Sequence, residues 1–179
     1  MNNPNHWKKQ FDTLESLRQN IHKLADNLDH EILKKKPSEN EWSILEICNH
    51  LMVIEQLSIG YIRHKIENVD KAKPAPFKHR LFTLILKIAL KLPLKFKAPK
   101  NVSQIPVPKS FTDLMMIWDM TRKELWKVIE KIPDGAYHKA FFKHPLAGYM
   151  TISDMLDFFI LHQKRHMKQI KRTLNKVKT

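Results

Sequence analysis

The stretch TISDMLDFFILHQKRHMKQIKRTL, residues 151–174, decides the fold class because it joins a helix start signal to a long helical stripe. Thr151 and Asp154 have the spacing at which side chains satisfy free backbone N–H groups at a helix start. The side chains of one helix face then recur every three or four residues; they are Ile152, Met155, Leu156, Phe159, His162, His166, Ile170 and Leu174. The stretch predicts a long amphipathic helix with two histidines on its inward face.

Three other stretches carry stripes of the same kind. The inward stripe of the second helix consists of Ile47, His50, Leu51, Ile54, Leu57 and Tyr61. We expect a first helix from about Asn5 to Asp29, a second from near Ser43 to near Asn68, and a third from Ser110 to the turn at residues 133–135. Only three glycines occur in 179 residues, which disfavours the many tight turns of an all-β fold. The sequence therefore predicts an all-α protein, a four-helix bundle formed by a single domain over residues 1–179.

The connection between the second and third helices is an insertion at about residues 70–109. Within it, residues 81–92 form a short amphipathic pattern that Pro93 stops, with Arg80, Lys87 and Lys91 on one side. Pro99, Pro106 and Pro108 then predict an extended return path. We interpret it as an extra helix packed over one end of the domain or in a dimer interface, as a lid over a ligand pocket, or as a membrane-surface helix at residues 78–92. The insertion is long enough for an up-down-down-up order, although a simple up-down bundle also fits.

Composition restricts the compartment and the partners. The net charge of +14 attracts nucleic acid, anionic lipid or acidic ligands. Because lysines occur in every segment without a nucleic-acid recognition motif, we interpret most of the charge as solvated helix surface, with nucleic-acid binding as the less favoured alternative. The sequence has no signal-peptide pattern, no run of roughly 20 apolar residues and one cysteine, Cys48, which we interpret as a buried apolar residue. We expect a cytoplasmic protein.

Only three of the ten histidines lie on inward stripes, namely His50, His162 and His166. An unpaired buried polar atom costs roughly 1–3 kcal/mol, and one metal ion would satisfy all three imidazoles. His50 lies about 10 Å along the second helix and the pair about 16–22 Å along the fourth, so antiparallel helices bring them to one level. The pattern predicts a divalent metal site with an open position, for which zinc or nickel is best suited and iron or manganese is compatible.

The chain from the second to the fourth predicted helix resembles the DinB-like (DinB/YfiT) superfamily in the order and spacing of its motifs, and the first helix fits by pattern. The matching segments are WSILEICNHL at residues 42–51, HPLAGYMT at 144–151, and His162-x3-His166-x2-Gln169-Ile170. The resemblance implies an up-down-down-up four-helix bundle, frequent homodimers, and a divalent metal held by His50, His162 and His166. It also implies activities similar to those of thiol-dependent S-transferases, isomerases and metal-dependent hydrolases. The chain departs from the pattern at Gln163, where many relatives carry a glutamate, and this departure removes one candidate general base. It also departs in its longer insertion.

The leading functional hypothesis is a metal-dependent enzyme, of thiol S-transferase or hydrolase type, acting on a small electrophilic substrate. No serine or cysteine stands in a nucleophile motif, so metal-bound water or a low-molecular-weight thiol would carry the chemistry, and no protein residue is assigned as catalytic. His144 precedes a proline in a loop, and we interpret it as a cap or surface residue rather than a site residue. The alternative is a non-catalytic, metal-stabilised bundle that serves as a binding or stress-associated module.

Overall fold

The computed structural model describes residues 3–92 and 106–178, except for the side chain of Arg80. The described elements, in chain order, are α1 (Pro4–Ala25), α2 (His30–Lys34), α3 (Ile44–Glu67), a 3-10 turn (Val69–Lys71), α4 (Phe77–Lys91), α5 (Phe111–Glu130), β1 (Phe142–His144), β2 (Gly148–Met150) and α6 (Ile152–Lys178). The predicted all-α four-helix bundle is confirmed: α1, α3, α5 and α6 are its four long helices.

Contacts between α1 and α6 show that these two helices are parallel. Near the start of both helices, Gln10 Nε2 donates to the carbonyl oxygen of Ser153 at 3.0 Å. Further along both helices, the Gln163 amide contacts the backbone of α1. In the orientation in which both its oxygen and its nitrogen are hydrogen-bonded, the oxygen accepts from the Arg18 N–H at 3.2 Å. Residue numbers therefore rise together along the shared interface.

The helices α3 and α5 are also parallel, and they run opposite to the first pair. Trp118 Nε1 donates to Glu55 Oε2 at 3.0 Å, and nearer the ends of both helices Arg63 pairs with Glu124 at 2.6 Å. Between α1 and α5 the order is reversed: Glu15 lies against Arg122, whereas Arg18, further along α1, pairs with Asp119, which is earlier on α5. The bundle is therefore up-down-down-up, and the simple up-down alternative is wrong.

Side-chain caps begin the bundle helices as the sequence predicts. Ser43 and Glu46 form a complete capping box, since Ser43 Oγ accepts from the Glu46 N–H at 3.2 Å and the Glu46 carboxylate accepts from the Ser43 N–H at 2.8 Å. The Thr151 hydroxyl likewise accepts from the Asp154 N–H at 3.2 Å. Each contact satisfies a backbone donor that has no partner within its own helix.

Three details of the sequence-based prediction are wrong. The first helix ends at Ala25 rather than Asp29, and a separate turn of helix, α2, follows it. Leu57, assigned to the inward stripe of the second helix, is 53% exposed. The segment before α6, expected to be a loop, contains an antiparallel hairpin of β1 and β2 in which Phe142 is opposite Met150. Gly148 adopts a φ of +74° in it, and the His79 ring lies 3.1 Å from the position that a Cβ would take.

The insertion packs its helix α4 against α6 and the hairpin. Lys87 pairs with Asp154 at 3.2 Å and with Asp157 at 2.9 Å, and His79 Nδ1 accepts from the Tyr149 N–H at 3.1 Å. Lys87 thus faces the bundle, whereas Lys91, predicted on the same side of this helix, is exposed. The interpretation as an extra helix packed on the domain is the one these contacts support. Pro99, part of the expected extended return path, lies outside the described residues.

A charged network lies in the bundle interior, which the apolar stripes did not predict. Glu55 accepts from Arg122 Nε at 3.0 Å, from Arg122 Nη2 at 2.8 Å and from Trp118 Nε1. The Glu55 and Arg122 side chains are only 5% and 3% exposed. Glu15 lies 3.5 Å from the other terminal nitrogen of Arg122, so the network joins α1, α3 and α5. A charge in this position depends on its partner for stabilisation.

Candidate metal centre

Three imidazoles from two antiparallel helices converge at one level of the bundle. His50 is on α3, and His162 and His166 are one turn apart on α6. The ring centroid of His50 lies 5.4 Å from that of His162 and 5.1 Å from that of His166. One nitrogen from each ring falls within 4.8 Å of the other two. The structure therefore brings together all three residues that the sequence singled out.

The distance between the two α6 imidazole nitrogens fits two ligands of one metal ion. The Nε2 atoms of His162 and His166 are 3.0 Å apart. Zinc-bound imidazole nitrogens lie about 2.0–2.1 Å from the ion, which places two of them roughly 3 Å apart. Two unprotonated nitrogens at this distance repel each other unless a proton or a cation lies between them. The cluster has the donor chemistry of a divalent metal site, and its α6 pair has the spacing of two ligands of one ion.

The environment keeps the α6 imidazoles neutral, which is the form that binds metals. Burial, followed by the proximity of His50, lowers the pKa of His166 to about 3. Burial also lowers the pKa of His162 well below its usual range, and the neighbouring imidazoles of His166 and His50 add to this effect. Both rings therefore present a lone pair at neutral pH.

Gln169 fixes which nitrogen of His166 is free. The amide oxygen Oε1 of Gln169 lies 2.8 Å from His166 Nδ1. Since an amide oxygen only accepts, Nδ1 carries the hydrogen and Nε2 keeps its lone pair, directed towards His162. Supporting contacts of this kind orient metal ligands and raise their basicity. Sequence reasoning gave Gln169 no role, although its position one turn after His166 was the available signal.

We expect Gln169→Leu to weaken zinc binding by about 10- to 100-fold, because the His166 ring loses the contact that sets its tautomer and orientation. A competition titration with a chromophoric chelator measures the dissociation constant. Gln169→Glu is the matched control, since a carboxylate oxygen accepts the same hydrogen bond and should keep the affinity. Equal losses in both variants would contradict this role for the amide oxygen.

Aromatic rings border the histidine cluster. Trp42, which precedes the α3 cap, lies 4.9 Å from the His50 ring, and Phe158 stacks on His162 at 5.2 Å. His50 is 6% exposed and His166 is 8% exposed, whereas His162 is less completely covered. The cluster is therefore held against apolar surface, with His162 as its most accessible imidazole.

His144 does not join the three converging imidazoles. Its Nδ1 accepts from the N–H groups of Leu146 and Ala147 at 3.1 and 3.2 Å, so it caps the turn between β1 and β2. Its ring packs against Phe158, and burial lowers the pKa of His144 to about 4. The interpretation of His144 as a cap is confirmed.

Comparison with known proteins identifies the family. The sequence pattern of the DinB superfamily matches residues 13–170, which is most of the chain. The chain belongs to the DinB superfamily. At the sequence level this DinB protein is similar to the uncharacterized protein YuaE of Bacillus subtilis (strain 168), with 27% identity over 150 residues, covering 84% of this chain and 88% of YuaE.

Two solved structures share the fold of this DinB protein. TT2238, described as a four-helix bundle protein, superimposes with a TM-score of 0.60 at 17% identity and covers 93% of this chain and 98% of its own. YfiT from Bacillus subtilis superimposes with a TM-score of 0.60 at 14% identity, covering 96% and 87%. YfiT is described as "a probable metal-dependent hydrolase with an unusual four-helix bundle topology". At these identities the likeness establishes the fold.

The departure from the DinB pattern at Gln163 lies on a different side of α6 from the histidine cluster. Gln163 is 1% exposed, and its amide packs against α1, where it donates to the Leu14 carbonyl at 3.3 Å. The expectation was that this substitution removes a candidate general base. In the structure, however, the Gln163 side chain bonds to the α1 backbone and does not face the imidazoles.

Proposed function

We propose that this DinB protein binds a divalent metal through His50, His162 and His166 and acts as a metal-dependent enzyme on a small electrophilic substrate. The convergence of three imidazole nitrogens within 4.8 Å carries the proposal. The description of YfiT as a probable metal-dependent hydrolase supports it by analogy of fold. We further propose that the reaction is a hydrolysis or a thiol S-transfer.

Each residue has a defined part in this proposal. The histidines would hold the ion as neutral donors, Gln169 would orient His166, and Trp42 and Phe158 would exclude water from one side. A bound divalent ion supplies Lewis acidity, which lowers the pKa of a water or thiol at its open position. All-nitrogen ligation suits zinc or nickel, with iron and manganese compatible.

In the proposed reaction the nucleophile is not the protein's cysteine but comes from solution. Cys48 is the chain's lone cysteine; it is fully buried, and burial raises its pKa to about 12. A thiol in this state stays protonated and inaccessible, so it cannot attack a substrate. Water or a low-molecular-weight thiol is therefore the proposed nucleophile, and the substrate is a small electrophile.

Turnover by metal-loaded protein tests this function. Chelator-treated protein is reconstituted with zinc or nickel and assayed for hydrolysis of activated esters and for thiol transfer from cysteine to a chromogenic electrophile. We expect turnover that requires metal and that His162→Ala reduces to the metal-free level. Protein that carries stoichiometric metal but accelerates neither reaction would instead favour the non-catalytic, metal-stabilised bundle. Protein that takes up no metal would contradict the proposal as a whole.

We also propose that residues 1–179 form one domain, since the insertion is joined to the bundle at several points. Lys87 pairs with Asp154 and Asp157, and Ala140 N–H donates to the Lys73 carbonyl at 2.9 Å. A single cooperative unfolding transition, followed both by circular dichroism and by tryptophan fluorescence, is the expected observation.

A further inference from the structure

Helix α4 presents a continuous apolar face to solvent. Six large apolar side chains recur at intervals of three or four residues along it, and all are exposed; they are Phe77, Leu81, Leu84, Ile85, Ile88 and Leu92. We call them the α4 stripe. At 100° per residue they occupy an arc of roughly 100°, the width of a helix face that is normally buried. An exposed patch of this extent indicates a surface that contacts something else.

This stripe is not the face by which α4 packs on the bundle. The opposite side of the helix is already buried, with Leu86 9% and Leu90 7% exposed, and Lys87 neutralised by Asp154 and Asp157 on α6. The helix is also fixed at its end, where Arg165 Nη1 donates to the Leu92 carbonyl at 2.7 Å. The stripe is therefore a second apolar face on a helix that the bundle holds in place.

The stretch of chain that carries the stripe is strongly basic. Residues 71–112 contain ten lysines and arginines and no aspartate or glutamate, so most of the +14 net charge lies in this one stretch. Lysines do occur in every segment, but elsewhere acidic residues offset them, whereas this stretch has none. Lys78 and Lys91 are exposed and flank the stripe on its two sides. An apolar face bordered by basic side chains is typical of helices that lie on anionic membranes.

We propose that the α4 stripe docks on the surface of an anionic lipid bilayer, with α4 lying in the plane of the membrane. Its 15 residues extend about 22 Å, less than the roughly 30 Å of a hydrocarbon core. Across the described ranges, no helix has both the length and the apolar character needed to cross a bilayer. The side chains of the stripe enter the headgroup boundary while the flanking lysines meet lipid phosphates.

Charge favours a lipid bilayer over a second copy of this chain as the surface that contacts the α4 stripe. Two copies meeting through the α4 stripe would bring the exposed Lys78 and Lys91 of each copy together, in a stretch of sequence that contains no acidic residue. Phosphatidylglycerol headgroups supply the opposite charge instead. The helix is already folded and anchored, so docking does not incur the ordering cost of an unstructured peptide.

Vesicle co-sedimentation of the full chain tests the proposal. We expect binding to vesicles of phosphatidylcholine and phosphatidylglycerol in equal parts and none to vesicles of phosphatidylcholine alone. The double variant Leu84→Gln/Ile88→Gln should bind about tenfold more weakly or worse, because two half-exposed apolar side chains lose their burial in lipid. Lys78→Glu/Lys91→Glu should also weaken binding, and added salt should lower the affinity of the parent protein.

The matched control is Met116→Gln/Met120→Gln on α5, two side chains that are 60% and 66% exposed. This variant should bind the mixed vesicles as the parent does, and circular dichroism should show all variants folded. Absence of parent binding to the mixed vesicles, or equal losses in the α4 and α5 variants, would overturn the proposal. A third result would also overturn it: a parent protein that is dimeric, does not bind vesicles, and becomes monomeric in the Leu84→Gln/Ile88→Gln variant. The α4 stripe would then contact a second copy of this chain.

Discussion

His50→Ala is expected to abolish stoichiometric metal binding, because His50 is the single imidazole that α3 contributes to the cluster. The two α6 histidines alone provide a weak bidentate site on one helix. We expect zinc affinity to fall by more than about a hundredfold, beyond the loss typical of removing a supporting contact. Elemental analysis after reconstitution and a competition titration measure the change. Added zinc should raise the melting temperature of the parent protein but not of the variant.

His64→Ala is the control for this result. His64 is on the same helix, and its side chain is exposed and away from the cluster. It should bind zinc with the stoichiometry and affinity of the parent protein. Retention of metal by His50→Ala, or an equal loss in His64→Ala, would show that zinc binds elsewhere and would refute the three-histidine assignment.

Glu55→Ala is expected to lower the free energy of unfolding by about 3–5 kcal/mol, the usual effect of breaking a buried ion pair. Arg122, 3% exposed, would lose both of its hydrogen bonds to Glu55, and Trp118 Nε1 would lose its acceptor. The remaining partner of Arg122 is Glu15, 3.5 Å away. Urea denaturation followed by circular dichroism gives the difference in unfolding free energy.

Two variants separate burial from charge in this experiment. Glu124→Ala breaks the exposed pair with Arg63 and should cost no more than about 1 kcal/mol. The double variant Glu55→Leu/Arg122→Met removes both buried charges and should recover most of the stability lost in Glu55→Ala. If Glu55→Ala is as mild as Glu124→Ala, water reaches Arg122 and the network does not stabilise the bundle.

Local patterns predicted much of the fold because they depend on neighbours in the chain. The Ser43–Glu46 capping box is a contact between residues three apart, and the helix start that it predicts is correct. The histidines of α6 share a face for the same reason, since a helix places residues four apart side by side. The pairing of His50 with them needed one further assumption, that the helices are antiparallel, which the structure bears out.

The errors arose where a residue's surroundings come from distant parts of the chain. The stripe containing Leu57 was predicted to face inward. The neighbouring helix, however, presents Trp118 and Arg122 to α3, where Glu55 is buried, and Leu57 is exposed. Lys87 faces inward because α6 places Asp154 and Asp157 beneath it. Hydrophobicity alone does not predict burial of a charge that has a partner.

The sequence by itself determined the helices, their caps, the all-α class and the three histidines that belong on inward faces, because each follows from spacing along one helix. Only the tertiary structure decided that those imidazoles meet within 4.8 Å, that Gln169 sets the tautomer of His166, and that Gln163 is directed at α1. It also decided which face of α4 is left to solvent. The physical reason is that helix periodicity fixes which residues share a face, whereas packing between helices fixes what each face meets.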